Sequence, residues 1–400
     1  MRNDPRNILF PLAVLLLAAP ARPIEAQQPA RGGATQLREA LQSRLSALYA
    51  ESRAPGVSVG IVLADGTSFG LAAGLADTVL GVPMTPSSRL LQGSVGKTYV
   101  AAVAMQLVHE GLLDPGAKIS TYLGREPWFA RLPNHSDVTV RQLMNHTSGI
   151  VRYEFNERFI SDLLAAPDRV WQPEELLAYL FDTEAPFAAG EGWDYSDTNY
   201  IILGIIIERL TGGAYYDELR RRILEPLGLE NTVPSNSRRV PGLVQGYAGV
   251  ENLFGVPDAV IVDGEFAINP QFEWTGGGIA STAEDLARWG KALYEGRAFD
   301  ESLLPVMVDG VDARLGPNTR YGLGVIIRPS PLGKSWGHSG FFPGYLTEMA
   351  YFPEHRVSVA VQLNSSDFPN LGMRPLRILL EMAKAAVQGG GAPDADSLGR

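Results

Sequence analysis

The chain has 400 residues, 45% of them apolar and 20% charged, a globular balance with material for a large core. Its formal net charge is −10 and no basic cluster follows the N-terminus, which argues against nucleic acid or an anionic membrane surface as partner. There are no cysteines, so disulfides, a thiol nucleophile, thiolate zinc sites and lipid attachment at cysteine are excluded, and the five histidines form no His-Glu-x-x-His or other close ligand pair, so no metal is expected.

Residues 1–26 have the form of a secretory signal. Arg2 and Arg6 flank a short basic start, Ile8 to Ala19 is an apolar core too short to span a bilayer comfortably, and Ile24-Glu25-Ala26 offers a cleavage site. The alternative is an uncleaved N-terminal anchor. In either case the body is expected to be exported, periplasmic or secreted, with no membrane contact beyond the export signal. Gln28 to Thr35 reads as a linker. Leu37, Ala40, Leu41, Leu45 and Leu48 mark an amphipathic helix over Gln36 to Glu51. Val57, Val59, Ile61 and Leu63 alternate as a strand, Asp65-Gly66 turns it, and Thr67 to Leu75 returns.

Tyr99 to Val108 is apolar nearly all round and predicts a buried helix, closed where Gly111 stands. From about Leu112 to about Gly264 the pattern predicts a mostly helical lobe with long loops. Its helices are placed from Val138 to Met144, Glu174 to Phe181, Tyr200 to Leu210 ended at Gly212, and Tyr216 to Ile223. Ser281-Thr282-Ala283-Glu284 resembles a capping box for a helix through Leu293. Strands then return at Leu323 to Arg328, Ser335 to Ser339, Tyr345 to Phe352 and Val357 to Leu363. Leu376 to Val387 is a final apolar helix, and a Gly-, Ala- and Asp-rich tail follows from residue 389. Strands at both ends with helices between predict an α/β (α+β) body over residues 27–388: one antiparallel sheet of about five strands, built from both chain ends and flanked by helices. The helical lobe over 112–264 is inserted in it, with a cleft at the junction.

Ser94 and Lys97 stand three residues apart at the head of the Tyr99 helix, in Gly93-Ser94-Val95-Gly96-Lys97-Thr98. At that spacing they neighbour each other on one face. Unpaired backbone N–H groups of the first turn favour an alkoxide, and a neutral amine beside a hydroxyl is a base beside a nucleophile. Gly-Lys-Thr before a helix also suggests a phosphate-binding loop, but that motif needs a glycine where Leu91 stands.

Two further motifs bear on this pair: Trp193-Asp194-Tyr195-Ser196-Asp197-Thr198-Asn199 before the Tyr200 helix, and Trp336-Gly337-His338-Ser339-Gly340 on a strand. With Met144-Asn145-His146-Thr147-Ser148-Gly149 and Gly276-Gly277-Gly278, they make the chain resemble the serine β-lactamase and penicillin-binding protein superfamily over about residues 35–388. The likeness is greatest to class C β-lactamases and D-alanyl-D-alanine carboxypeptidases. The resemblance implies Ser94 as acylated nucleophile, Lys97 as its proton acceptor or relay, and Tyr195 as the group that protonates the leaving group. It also implies the N–H groups of Ser94 and Phe341 as an oxyanion hole, with His338, Ser339 and Gly340 on the substrate-binding strand. It implies no cofactor, and a small-molecule or peptide substrate.

Two positions depart from the usual family text. Asp197 stands where many members carry Asn, and is expected either to hold Lys97 as an ammonium, shifting the base role to Tyr195, or to pair with a cationic group on the substrate. His338 stands where class C enzymes carry lysine, which leans the likeness toward peptidases and predicts weaker binding of a substrate carboxylate above pH ~6.5. The activity expected is an exported serine hydrolase on amides or esters, with D-alanyl peptides and β-lactams leading. The alternatives are an esterase, a D-aminopeptidase, or a penicillin-binding sensor that acylates without turning over. His146 reads as a structural residue in a turn.

Overall fold

A computed structural model describes residues 30–390; the signal-like segment and most of the Gly-rich tail lie outside the described residues. Five helices frame the site: α1 (Ala30–Ser52), α2 (Lys97–His109), α3 (Asp197–Thr211), α4 (Ala283–Tyr294) and α5 (Pro375–Gly389). The main sheet contains β1 (Gly56–Val62), β2 (Ser68–Asp77), β3 (Val82–Pro83), β4 (Val311–Asp312), β5 (Arg320–Tyr321), β6 (Ile326–Ser330), β7 (Gly333–Phe342), β8 (Tyr345–Phe352) and β9 (Val357–Leu363).

β1 organises the fold because both of its faces are covered. Val57, Val59 and Ile61 enter the apolar layer shared with Leu41, Leu45 and Leu48 of α1 and with Ile378, Leu379 and Met382 of α5. Burial of each such side chain contributes roughly 1.5–3 kcal/mol. The alternate residues face the other way. A Cβ on Gly60 would lie 1.9 Å from the Ala283 carbonyl oxygen, so α4 rests directly on the β1 backbone.

The strand order is β3-β2-β1-β9-β8-β7-β6-β5-β4, antiparallel throughout. β1 pairs β9 from Val57↔Leu363 to Val62↔Ser358, which joins the N-terminal hairpin to the C-terminal strands in one sheet, as expected. The sheet has nine strands, not five. β3, β4 and β5 are two-residue pairings with no run long enough to show period 2 in the sequence.

Three local expectations are corrected. The proposed linker is helical from Ala30 onward. The strand expected at Leu323 begins at Ile326, because Gly322 and Leu323 bond to Val325 and Met307 in a turn. The N-cap of α4 is Thr282, whose hydroxyl accepts the Asp285 N–H at 3.3 Å. Ser281 is instead held in a strand opposite Leu90. The register of β6 against β7 ends at Ile326↔Gly337, so residues 338–342 of β7 run past the end of β6 and border the cleft. Among the described residues no helix is long and apolar enough to cross a membrane.

Candidate active site

Ser94 lies in the 3-10 turn Gly93–Gly96 that leads into α2, and Lys97, the first residue of α2, is fully buried. From Tyr99 to Met105 the helix is apolar and buried on every side, which fixes its first turn against the rest of the molecule. The Lys97 Nζ lies 3.1 Å from Ser94 Oγ and also contacts Asp197 Oδ1 and the Gly276 carbonyl oxygen. Three acceptors around one nitrogen match the three N–H donors of an ammonium.

Two glycines bring β7 against this turn. A Cβ on Gly340 would lie 1.8 Å from the Gln92 carbonyl oxygen. A Cβ on Gly93, whose φ is +52°, would lie 2.4 Å from the oxygen and 2.7 Å from the nitrogen of Phe341. Backbone therefore meets backbone, and the Phe341 amide is set beside Ser94. The Gly276-Gly277-Gly278 run serves the same end. A Cβ on Gly277 would lie 2.4 Å from the Gly93 carbonyl oxygen.

Tyr195 is placed by the loop before α3. Its ring lies 5.0 Å from Lys97 Nζ and 5.3 Å from the Arg152 guanidinium carbon. Its hydroxyl is buried without a hydrogen-bond partner of ordinary geometry among the described residues. Burial, then the Asp197 carboxylate, push the phenol well above its usual pKa, while the nearby Ser94 hydroxyl and Arg152 pull the other way.

Asp197 opens α3, where a carboxylate suits the helix N-terminus. One oxygen meets Lys97, and the other accepts from Arg152 Nη2 at 2.8 Å. Burial disfavours this carboxylate, but Lys97 first and then Glu154 and Arg152 outweigh it, and Asp197 stays ionised well below the usual range. Arg152 also pairs with Glu154. The result is a chain of paired side chains, Lys97–Asp197–Arg152–Glu154, closed at the Lys97 end. At the far end Glu154 Oε2 is buried and, among the described residues, has no hydrogen bond of ordinary geometry, and burial followed by the nearby Asp197 charge raises its carboxyl well above 4.5. Glu273 lies beside this chain, its carboxyl pushed up to about 8 by burial.

His338 is buried on β7. Its Nδ1–H donates to the Ser339 carbonyl oxygen at 2.6 Å, which leaves Nε2 to accept from the Tyr321 hydroxyl at 2.8 Å. Burial, then the Lys97 charge, push its pKa down to about 3. Against the expectation of a change in carboxylate binding near pH 6.5, this setting favours the neutral imidazole, in which both ring nitrogens are satisfied. The Ser339 hydroxyl accepts from Arg328 Nη2 at 2.7 Å, and Arg328 also pairs with Glu348 on β8.

A cleft of about 870 Å³ opens over these groups. Ser94, Tyr195, Asp197, His338, Ser339, Gly340 and Phe341 all line it, and Lys97 lies beneath. Sequence reasoning missed Arg152, Glu154 and Glu273, which also line it. No motif marks them, because their relation to Ser94 exists only in the folded chain.

The sequence model of the family described as Beta-lactamase matches residues 41–382. The chain belongs to the β-lactamase family. It is 27% identical over 306 residues to a penicillin-binding protein of Bacillus subtilis (strain 168), which covers 74% of this chain and 64% of that protein. It is 24% identical over 329 residues to a D-aminopeptidase of Brucella ovis, which covers 81% of this chain and 59% of that protein. The chain thus spans about three fifths of the length of these curated relatives. Among solved structures, D-amino acid amidase from Ochrobactrum anthropi SV3 complexed with L-phenylalanine amide superposes with a TM-score of 0.75, at 26% identity, covering 89% of this chain and all of that one. A D-stereospecific amidohydrolase from Streptomyces sp. gives 0.73 at 27% identity, covering 89% and 99%. These relatives belong to the same superfamily as this β-lactamase-family chain and share the fold read from its sequence.

Proposed function

We propose that this serine hydrolase acts through an acyl-enzyme at Ser94, and that it cleaves amides whose acyl part carries a free amine. The observation that carries the first half is the Ser94–Lys97 contact of 3.1 Å at the base of the cleft, with the Tyr195 phenol facing the same serine. In the form of the Lys97–Tyr195 pair that has first released one proton to solvent, Ser94 Oγ attacks the carbonyl carbon and its proton passes to the vacant site on that pair. The oxyanion that forms sits against the Ser94 and Phe341 N–H groups, where each fixed donor is worth roughly 3–4 kcal/mol. Tyr195 gives a proton to the leaving amine, the C–N bond breaks, and water then cleaves the ester and returns the proton to Ser94.

The groups around Ser94 favour a D-aminopeptidase or amidase reading over a D-alanyl carboxypeptidase. His338 is neutral, so β7 offers no cation to a substrate carboxylate at that position. On the other side of Ser94, Glu154 and Glu273 line the cleft; burial raises both carboxyls, Glu273 to about 8, so an incoming ammonium would be held by a carboxyl that gives up its proton to form the pair. Asp197 is the weaker partner for a substrate amine, since Lys97 and Arg152 already occupy both of its oxygens. The N-terminal sequence supports export. The test compares D-alanine p-nitroanilide, its N-acetyl derivative, and an acyl-D-alanyl-D-alanine peptide. Turnover of the free amine at least ~10-fold above the other two is the expected result. Preference for the dipeptide carboxylate would overturn the amine reading, and transient labelling by a β-lactam would restore the β-lactamase reading.

A further inference from the structure

His146 belongs to the Asn145-His146-Thr147-Ser148-Gly149 motif, which the mechanism above leaves unused. It is fully buried, holds a φ of +64°, and does not line the cleft. Three of its contacts converge on Tyr195. Its carbonyl oxygen accepts the Asp194 N–H at 3.1 Å, on one side of the tyrosine. Its Nδ1 accepts the Ser196 N–H at 3.2 Å, on the other side. Its ring lies 4.3 Å from the Tyr195 ring, centroid to centroid. The imidazole is itself fixed. Asn199 Nδ2 donates to the same Nδ1 at 3.1 Å, and Asn199 Oδ1 accepts from the Ser148 hydroxyl at 2.6 Å. Two donors on Nδ1 set the tautomer with the proton on Nε2.

This matters because, although the Ser94 hydroxyl lies near it, the Tyr195 hydroxyl is held by no hydrogen bond of ordinary geometry among the described residues. Its direction must come from its backbone on both sides and from the face of its ring. We propose that His146 is the positioning residue that aims the Tyr195 hydroxyl at Ser94, by clamping Asp194 and Ser196 and backing the phenol ring. The inference rests on the role given to Tyr195 in the proposed reaction.

A proton donor to the leaving group matters for a poor leaving group and little for a good one. The test therefore measures kcat/KM for a D-amino acid p-nitroanilide and for the matching p-nitrophenyl ester. The proteins compared are the wild type, His146→Gly, His146→Asn, Tyr195→Phe and the His146→Gly/Tyr195→Phe double variant. Glycine accepts the positive φ but removes the acceptor; asparagine accepts the φ and keeps an acceptor near Nδ1. Expected are a fall of ~10²-fold on the anilide in His146→Gly, at least ~10-fold less on the ester, recovery of most of the anilide rate in His146→Asn, and a double variant no worse than Tyr195→Phe alone. Equal losses on both substrates, no recovery by asparagine, or multiplicative losses in the double variant would each overturn the proposal. Should His146→Gly not fold, Asn199→Ala, which frees the imidazole, is expected to show the same bias against the anilide, and an unbiased loss overturns it. A wild type inactive on both substrates sinks the proposed reaction itself, and this inference with it.

Discussion

Asp197→Asn tests the electrostatics of the site most severely. In the wild type one carboxylate neutralises two cations, Lys97 and Arg152, in a buried setting. It raises the Tyr195 phenol as the second-largest cause after burial, and so holds a proton on the pair that must accept the Ser94 proton. Unit charges in contact interact by about 4 kcal/mol at an effective dielectric of 20, so removing this one is a large electrostatic change. The activity is carried by the form that has lost a proton, so the rising limb of kcat/KM against pH is expected to move toward acid. Lys97 is left without its anion and Arg152 keeps only Glu154, and breaking a buried pair in this way costs about 3–5 kcal/mol, measurable by urea unfolding at pH 7. The assay is kcat/KM for one free-amine anilide from pH 5 to 10. A limb that stays in place, or moves toward alkali, refutes the reasoning.

Three further outcomes follow from the same geometry. Glu273, raised to about 8, binds its proton more tightly folded than unfolded, so its burden on stability is absent below about pH 4.5 and complete above pH 8. Glu273→Gln is therefore expected to raise stability in urea at pH 8.5 by up to ~3 kcal/mol and to change little at pH 4.5, and the reverse order contradicts the assignment. The KM of a carboxylate substrate is expected to stay flat from pH 5 to 8, because His338 is held neutral down to about pH 3; a rise centred near 6.5 would show that its Tyr321 and Ser339 bonds do not hold it neutral. Gly340→Ala places a Cβ 1.8 Å from the Gln92 carbonyl oxygen, so β7 must retreat from the Ser94 turn. A loss of ~1–3 kcal/mol in stability with a fall in kcat of at least ~10²-fold is expected, and unchanged kcat refutes the role given to the Phe341 amide.

Much of the site was legible because its logic is local. Ser94 and Lys97 are three residues apart, so helix geometry alone places them together. The apolar run Tyr99 to Met105 in α2 announced its own burial, and the alternation Val57-Val59-Ile61 announced a strand with one face in an apolar layer. The sequence could not show the ion chain. Arg152 and Glu154 sit 45 and 43 residues before Asp197, and nothing in their neighbours distinguishes them from solvated charges. Nor could it show the protonation of His338, which depends on a tyrosine 17 residues away and on complete burial. The short strands β3, β4 and β5 arise from pairing with longer neighbours, not from their own propensity. The cap of α4 fell one residue from its expected place because Ser281 is tied into a strand and its hydroxyl accepts from Gln92 Nε2 at 2.7 Å.

The direct test is an intact-protein mass spectrum taken within seconds of mixing with a D-amino acid p-nitrophenyl ester and quenching in acid. The account predicts an added mass equal to the acyl group, mapped by peptide digestion to Ser94. It also predicts neither adduct nor turnover in Ser94→Ala, a variant whose folding is verified by its unfolding curve. An adduct on another residue, or hydrolysis that survives in Ser94→Ala, would contradict it.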